Sequence, residues 1–376
     1  MFITILLLVP HIECSDVELI SADGRFTGTI LTSTTGLALK TSEEKRAFPL
    51  DELVELSFGK KPVEDYYVRG IRFHNGDRLS GAIKKLENEK LVVESDLFGL
   101  VKVPLTHLAG LDFRSDRISH AKTSRKTHVR LANGDALPGS LRWLDHTSIG
   151  VKSSLGLVNI ERARAFGITF TNTMSTKSMG LQAVVRFCSG DRVTGKWEGF
   201  KAGQLYLTLP SIGEVHFPVE AVTAVLFTGG KSTFMSDMKI KSHESETFVP
   251  GGVPRRFRKD ASWSGSPIML NGRRYEKGVS QHARSRLTFS LEGYQKFHAV
   301  VGLDDEVKAL SESGDAICQI FVDGRKKFER RARQAGKAIE VQVDVAGAKQ
   351  ISLVADFGEG GDAGDRVTWA MARVTR

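Results

Sequence analysis

The sequence predicts an all-β protein in which four small strand repeats precede a larger β-sandwich, and three observations lead there. Short runs of Val, Ile, Thr and Phe alternate with polar residues throughout the chain. Glycine is abundant, at 37 residues against 10 prolines, as many tight turns require. One strand-turn-strand template recurs four times before residue 229. The length of 376 residues suits several domains. Fractions of 41% hydrophobic and 26% charged residues exclude wholesale disorder, collagen-like repetition and a multi-pass membrane protein.

The chain opens on an apolar run, Ile3 to Val9, closed by Pro10 and followed by the polar Ser15 and Asp16. Residues 1–14 read as a short secretory signal peptide, although neither a leading Lys or Arg nor an A-x-A cleavage site accompanies them. Export is therefore expected, to the periplasm, cell envelope or extracellular space. The run is too short to span a bilayer as a helix.

The four repeats cover 17–58, 68–113, 128–170 and 183–227. Each begins with an apolar strand and a turn, at Asp23-Gly24, Asn75-Gly76-Asp77, Asn133-Gly134-Asp135 and Ser189-Gly190-Asp191. Such steps between alternating hydrophobics are the strongest short-range hairpin signal, because glycine accepts the positive φ of primed turns. A second glycine follows in the return strand, Gly28, Gly81, Gly139 and Gly195, where a missing side chain permits a bulge or sharp bend. An alternating strand comes next, such as Leu205-Tyr206-Leu207-Thr208-Leu209. Every unit ends in Phe, and Pro49, Pro104 and Pro218 precede that residue by one interval, with Glu161 in the third unit. Five short strands with a bent second strand describe an SH3-like or Sm-like barrel. The alternative is one continuous array in which strands of neighbouring repeats pair.

The repeats are poor in chemistry. Asp77, Asp135 and Asp191 recur in equivalent turns and are explained by bonds to their own backbone rather than by a row of calcium sites. The histidines fall at different template positions and form no metal-ligand spacing, and no Walker A, G-x-S-x-G or dinucleotide fingerprint occurs. Cys14, Cys188 and Cys318 form no CxxC pair, and the last two sit in apolar stretches where a buried thiol is expected. Lys and Arg exceed Asp and Glu by 53 to 44, a charge of +9 that favours anionic surfaces. The densest basic runs, Arg255 to Lys259 and Lys326 to Arg333, read as solvated surface. Nucleic acid is disfavoured as a partner, since Trp143 and Trp197 do not recur as a base-stacking row.

Residues 229–247, with Gly229-Gly230-Lys231-Ser232 and the polar stretch up to Glu246, read as a linker. The remainder, 248–376, has alternating strands with Gly and Asp turns about every ten residues, the texture of a two-sheet sandwich. Its segments Leu270-Asn271-Gly272-Arg273-Arg274-Tyr275-Glu276-Lys277-Gly278-Val279-Ser280-Gln281-His282, Phe297 to Asp305, Ile320-Phe321-Val322-Asp323-Gly324 and Gly364-Asp365-Arg366-Val367-Thr368-Trp369-Ala370 stand in order. This C-terminal third resembles the NPCBM family of carbohydrate-binding modules often attached to glycoside hydrolases. The resemblance implies a galactose-binding-like β-sandwich that holds glycans or glycosylated surfaces through loops at one end of its sheets.

Sites for neutral sugars combine an aromatic face with amide, carboxylate and imidazole groups for the hydroxyls, which makes Tyr275, His282, Asp305, Asp365 and Trp369 the candidate ligand-binding residues by type. Trp369 suits a core position equally well, and the aspartates suit turns or a structural calcium ion. No cofactor is expected. A glycosidase needs two carboxylates facing each other across the scissile bond, and once the repeats and the sandwich are assigned no hydrolase-sized domain remains. The expected protein is a non-catalytic, exported carbohydrate-binding protein. In the alternative reading the sandwich and repeats bind protein instead of glycan.

Overall fold

A computed structural model of the chain describes residues 17–31, 36–60, 69–114, 127–171, 180–310, 314–334 and 336–376. The expected signal peptide at 1–14 lies outside them. The described residues form β-strands and short 3-10 turns, with no α-helix among them. They divide into two compact units that meet in sequence between Gly230 and Lys231.

The N-terminal unit repeats one order of elements four times: four strands, a single 3-10 turn and a closing strand, the second strand of the third copy being split into Ala136–Pro138 and Ser140–Leu144 on either side of Gly139. In the fourth copy these are Gln182–Phe187, Arg192–Lys201, Gln204–Leu209, Gly213–Pro218, the turn Val219–Ala221 and Val222–Thr228. The first strand pairs with both the second and the last, and the second, third and fourth form a meander. Proline before the 3-10 turn presets the backbone that starts it, with φ of -57° at Pro49, -59° at Pro104 and -68° at Pro218; Glu161 adopts -60° without the ring.

The second glycine lies where the return strand crosses close under its neighbour. A Cβ on Gly28, Gly81, Gly139 or Gly195 would sit 2.3, 2.4, 2.7 or 2.6 Å from a carbonyl oxygen of the third strand, inside any tolerable contact. Two residues later the second strand of the last three repeats bulges, after Ile83, Leu141 and Trp197. Glycine and bulge together bend the strand so that its halves join different partners.

The fourth and fifth strands of a repeat do not pair with each other, so no barrel closes among the described residues. The repeats instead join through their closing strands. Leu53–Ser57 of the first pairs antiparallel with Val222–Thr228 of the fourth, and Leu108–Asp112 of the second pairs with Ala165–Thr169 of the third. Apolar residues follow suit, one core being drawn chiefly from repeats 1 and 4 and another from repeats 2 and 3. Between repeats 2 and 3 the carboxylate of Asp112, 2% exposed, accepts from Arg72 Nε at 2.7 Å and from the Arg130 guanidinium. Cys188 is half-buried, not buried as expected, whereas Cys318 is buried and its thiol is pushed up to about 12 by loss of water.

The C-terminal unit stacks two antiparallel sheets. One runs Arg258–Lys259, Gly278–His282, Arg366–Thr375, Lys296–Leu303 and Ile339–Asp344; the other Ile240–Ser245, Ser285–Ser290, Gln350–Phe357, Asp315–Val322 and Arg325–Arg333. Alternate residues of both enclose a single core that includes Phe289, Phe297, Ile320, Leu353 and Trp369. The stretch expected to be a linker, 229–247, is mostly part of this sandwich. Ser232–Phe234 pairs with the C-terminal strand and Ile240–Ser245 is an edge strand against Ser285–Ser290. Its charged residues reflect an edge strand, which has one unpaired side and a wet face.

Candidate functional site

The C-terminal unit collects its most varied side chains where two neighbouring strands end. His282 closes Gly278–His282, Arg366 opens Arg366–Thr375, and the two stand opposite each other in the ladder. Before them, Val279 and Gln281 face inward with Val367 and Trp369, because side chains alternate along a strand. The turn Ser262–Ser266 brings Trp263 over this point.

Trp263 is half-buried. Its ring meets the His282 imidazole edge-on, 5.1 Å between centroids, and the guanidinium groups of Arg366 and Arg255 lie 4.8 and 5.8 Å from the indole centre. The indole Nε1 donates to the Arg256 carbonyl at 3.0 Å, which fixes the plane of the ring. Glu306 fastens the turn from below: it accepts from Ser262 Oγ at 2.6 Å and from the Ser264 amide at 3.2 Å, and pairs with Arg366 at 3.4 Å. Arg255 pairs with Asp362 at 3.0 Å. Arg366 Nε is buried and makes no hydrogen bond among the described residues.

His282 is 3% exposed, and its Nδ1 lies 2.9 Å from the Ala283 carbonyl oxygen. A carbonyl only accepts, so Nδ1 carries the hydrogen and Nε2 of the neutral ring is left as an acceptor. Burial, reinforced by the Arg255 and Arg366 charges, holds the imidazole below its usual pKa and keeps it neutral at neutral pH. An indole ringed by guanidinium donors and an imidazole acceptor is suited to a small polyhydroxylated ligand with an apolar face.

Of the five residues singled out from sequence, only His282 touches this group. Trp369 is 0% exposed in the core, with Nε1 donating to Gln281 Oε1 at 2.8 Å, so it offers no stacking face. Tyr275 is buried on the hairpin formed with Ile268–Leu270, its ring 5.2 Å from the Arg273 guanidinium. Asp305 accepts from the amides of Asn271 and Gly272 at 3.1 and 2.6 Å and pairs with Lys308, so it shapes a turn. Asp365, 1% exposed, accepts from the Asp315 amide at 2.7 Å, and its other oxygen is buried without a hydrogen bond among the described residues; burial pushes the carboxyl up to about 7.

Trp263 and Arg366 are not among the candidates by residue type, and Arg255, expected as solvated surface, is half-buried against Trp263 and Asp362. The signal for Trp263 is slight, a tryptophan between serines in a Ser-Trp-Ser-Gly-Ser turn where no core position is available.

Residues 231–375 match the NPCBM/NEW2 domain. The match begins where the C-terminal unit begins and takes in both strands of the supposed linker. A Renibacterium salmoninarum protein named "Putative endo-alpha-N-acetylgalactosaminidase" is 27% identical over 145 residues, 38% of this chain but 9% of that protein. The chain thus spans a small part of the curated relative it matches. Among solved structures, a CBM51 from Clostridium perfringens GH95 in complex with methyl-galactose is 28% identical, covering 38% of this chain and 99% of that one, with a TM-score of 0.34. The CBM51-2 and INT domains of Clostridium perfringens ZmpB are 26% identical, covering 47% of this chain and 39% of theirs, with a TM-score of 0.35. No helix among the described residues is long and apolar enough to cross a membrane.

Proposed function

We propose that the NPCBM/NEW2 region binds a glycan at the Trp263 cluster, that the chain has no catalytic role, and that it works outside the cytoplasm, in the cell envelope or extracellular space. The observation that carries this reading is the half-buried indole of Trp263 ringed by His282, Arg255 and Arg366. The indole supplies the apolar face, Arg366 and Arg255 donate to hydroxyl oxygens, and His282 Nε2 accepts from a hydroxyl. Nearby carboxylates are engaged in shaping the loops, Glu306 with two serines and Arg366, Asp362 with Arg255 and Asp305 with the Asn271-Gly272 turn. Their engagement favours binding over acid-base chemistry, which needs carboxylates turned toward a substrate. The N-terminal repeats then serve as a spacer or second contact surface.

The test is binding of the full chain to a glycan array that includes methyl-galactose and N-acetylglucosamine, beside Trp263→Ala. Saturable binding to a defined sugar, weakened about tenfold or more in a Trp263→Ala protein of unchanged circular dichroism, is the expected result. A folded wild-type protein that binds no glycan would overturn the reading in favour of a protein-binding module.

A further inference from the structure

Repeats 2 and 4 meet at their opening turns, and the bonds there are reciprocal. The Asp77 carboxylate of repeat 2 accepts from repeat 4 three times, from Arg192 Nη1 at 2.8 Å, the Thr194 amide at 2.8 Å and Thr194 Oγ1 at 2.6 Å. In return, Asp191 of repeat 4 accepts from the Ser80 amide of repeat 2 at 2.6 Å. Arg78 and Arg192 form the single bridge pair between the two strands, so the contact has an approximate twofold axis there. Both aspartates are buried, at 6% and 2% exposure.

The same positions in repeats 1 and 3 have each kept one half of this clamp. Relative to the glycine that follows the turn, Thr27 stands where Thr194 stands and Arg25 where Arg192 stands. Thr27 also lies opposite Glu18 in its ladder just as Thr194 lies opposite Val184. The turn of repeat 1 is one residue shorter, however, and its aspartate, Asp23, precedes the glycine, so none stands where Asp191 does. Repeat 3 is the converse. It has Asn133-Gly134-Asp135, with Asn133 bonded to Asp135 as Asn75 is to Asp77, but Ala136 and Pro138 replace the donors, and proline has no N–H to give. Both turns are exposed at these residues. The order of contacts is 1 to 4 to 2 to 3, so the donor half and the acceptor half lie on the two terminal repeats.

We propose that these halves join copies of this chain head to tail, Arg25 and Thr27 of one copy gripping Asp135 of the next as Arg192 and Thr194 grip Asp77. Charge is complementary, a guanidinium against a carboxylate, and the geometry is one the protein already builds within itself. Because the contact is heterologous, it propagates unless the rotation between copies closes a ring. Arg25 also pairs with Glu18 at 2.6 Å, so an incoming carboxylate shares it, while Thr27 brings an amide and a hydroxyl whose counterparts on Thr194 supply two of the three bonds to Asp77. A contact this small is weak at low concentration and sensitive to salt.

Sedimentation of the full chain at low ionic strength, up to the millimolar range, tests this. Average mass is expected to rise with concentration and to fall back when salt is added. Asp135→Ala should weaken association about tenfold or more, and so should Arg25→Ala with Thr27→Pro, which copies what repeat 3 carries at those positions and is compatible with the fold. A one-to-one mixture of the two variants should stop at dimers, since each retains only the opposite half. A wild-type protein that stays monomeric throughout, association that both variants retain, or a mixture that remains monomeric while wild type associates would each overturn the proposal.

Discussion

The buried aspartates of the N-terminal unit tie one repeat to another, whereas the buried polar groups of the C-terminal unit tie strands to each other and to their own loops. Asp112 belongs to repeat 2 and is held in part by Arg130 of repeat 3; Asp77 and Asp191 cross between repeats 2 and 4. In the sandwich, Gln281 reaches from one sheet to the Leu353 carbonyl of the other, and Asp304 accepts from the Met269 amide. A repeat of some forty residues buries too little apolar surface to stand alone, so its cores fuse in pairs, and charged clamps add contacts between repeats, Asp112 within the 2–3 pair and Asp77 and Asp191 between repeats of different pairs. The sandwich encloses one core of its own and its polar groups are available to shape a site.

That contrast is most sharply tested by Trp369→Ala. Deleting a fully buried indole should cost about 4 kcal/mol and raise hydrogen exchange in the strands from Ser232 onward, leaving those before Gly230 protected. Equal loss of protection in both units would show that the sandwich does not unfold apart from the repeats. Asp112→Ala leaves two guanidinium groups facing a vacated site and should cost about 3 kcal/mol, seen as a lower urea midpoint with faster exchange in repeats 2 and 3. An unchanged midpoint would mean that the fused core alone holds those repeats together.

A pH-dependent effect is expected of Asp365→Asn. The folded carboxyl titrates at about 7 against an ordinary value of 3.8, so the folded state holds its proton more tightly than the unfolded state does. This favours the folded state fully below the unfolded pKa, and the advantage fades as pH rises through the folded value. The variant carries a neutral amide at every pH, so its melting temperature relative to wild type should climb between about pH 4 and pH 7 and level off above. A difference that is flat across this range would show that Asp365 does not titrate in the fold.

Much of the architecture was legible because turn glycines and alternation are local signals. Asn75-Gly76-Asp77 and its counterparts mark hairpins without knowledge of what surrounds them. Partnership between repeats was not legible, since nothing in Leu53–Ser57 names Val222–Thr228 as its neighbour. The cluster around Trp263 was not legible for the same reason. Trp263 and Arg366 are brought together by register across about a hundred residues, and Trp369, sound by residue type, stands on the inward-facing phase of its strand. The polar stretch before Glu246 resembled a linker because an edge strand with a wet face has the composition of one.

The second glycine of each repeat, with a carbonyl oxygen less than 3 Å from where a Cβ would be, has a bearing on how such arrays grow. Copies of a duplicated segment drift apart at every position that tolerates drift, and this one does not. The turn just before it does tolerate it: one copy has lost a residue there and another has gained a proline. A designer extending the array would hold that glycine invariant and write the preceding turn as an address, choosing with two or three letters whether a new unit accepts a neighbour, offers itself to one, or ends the row.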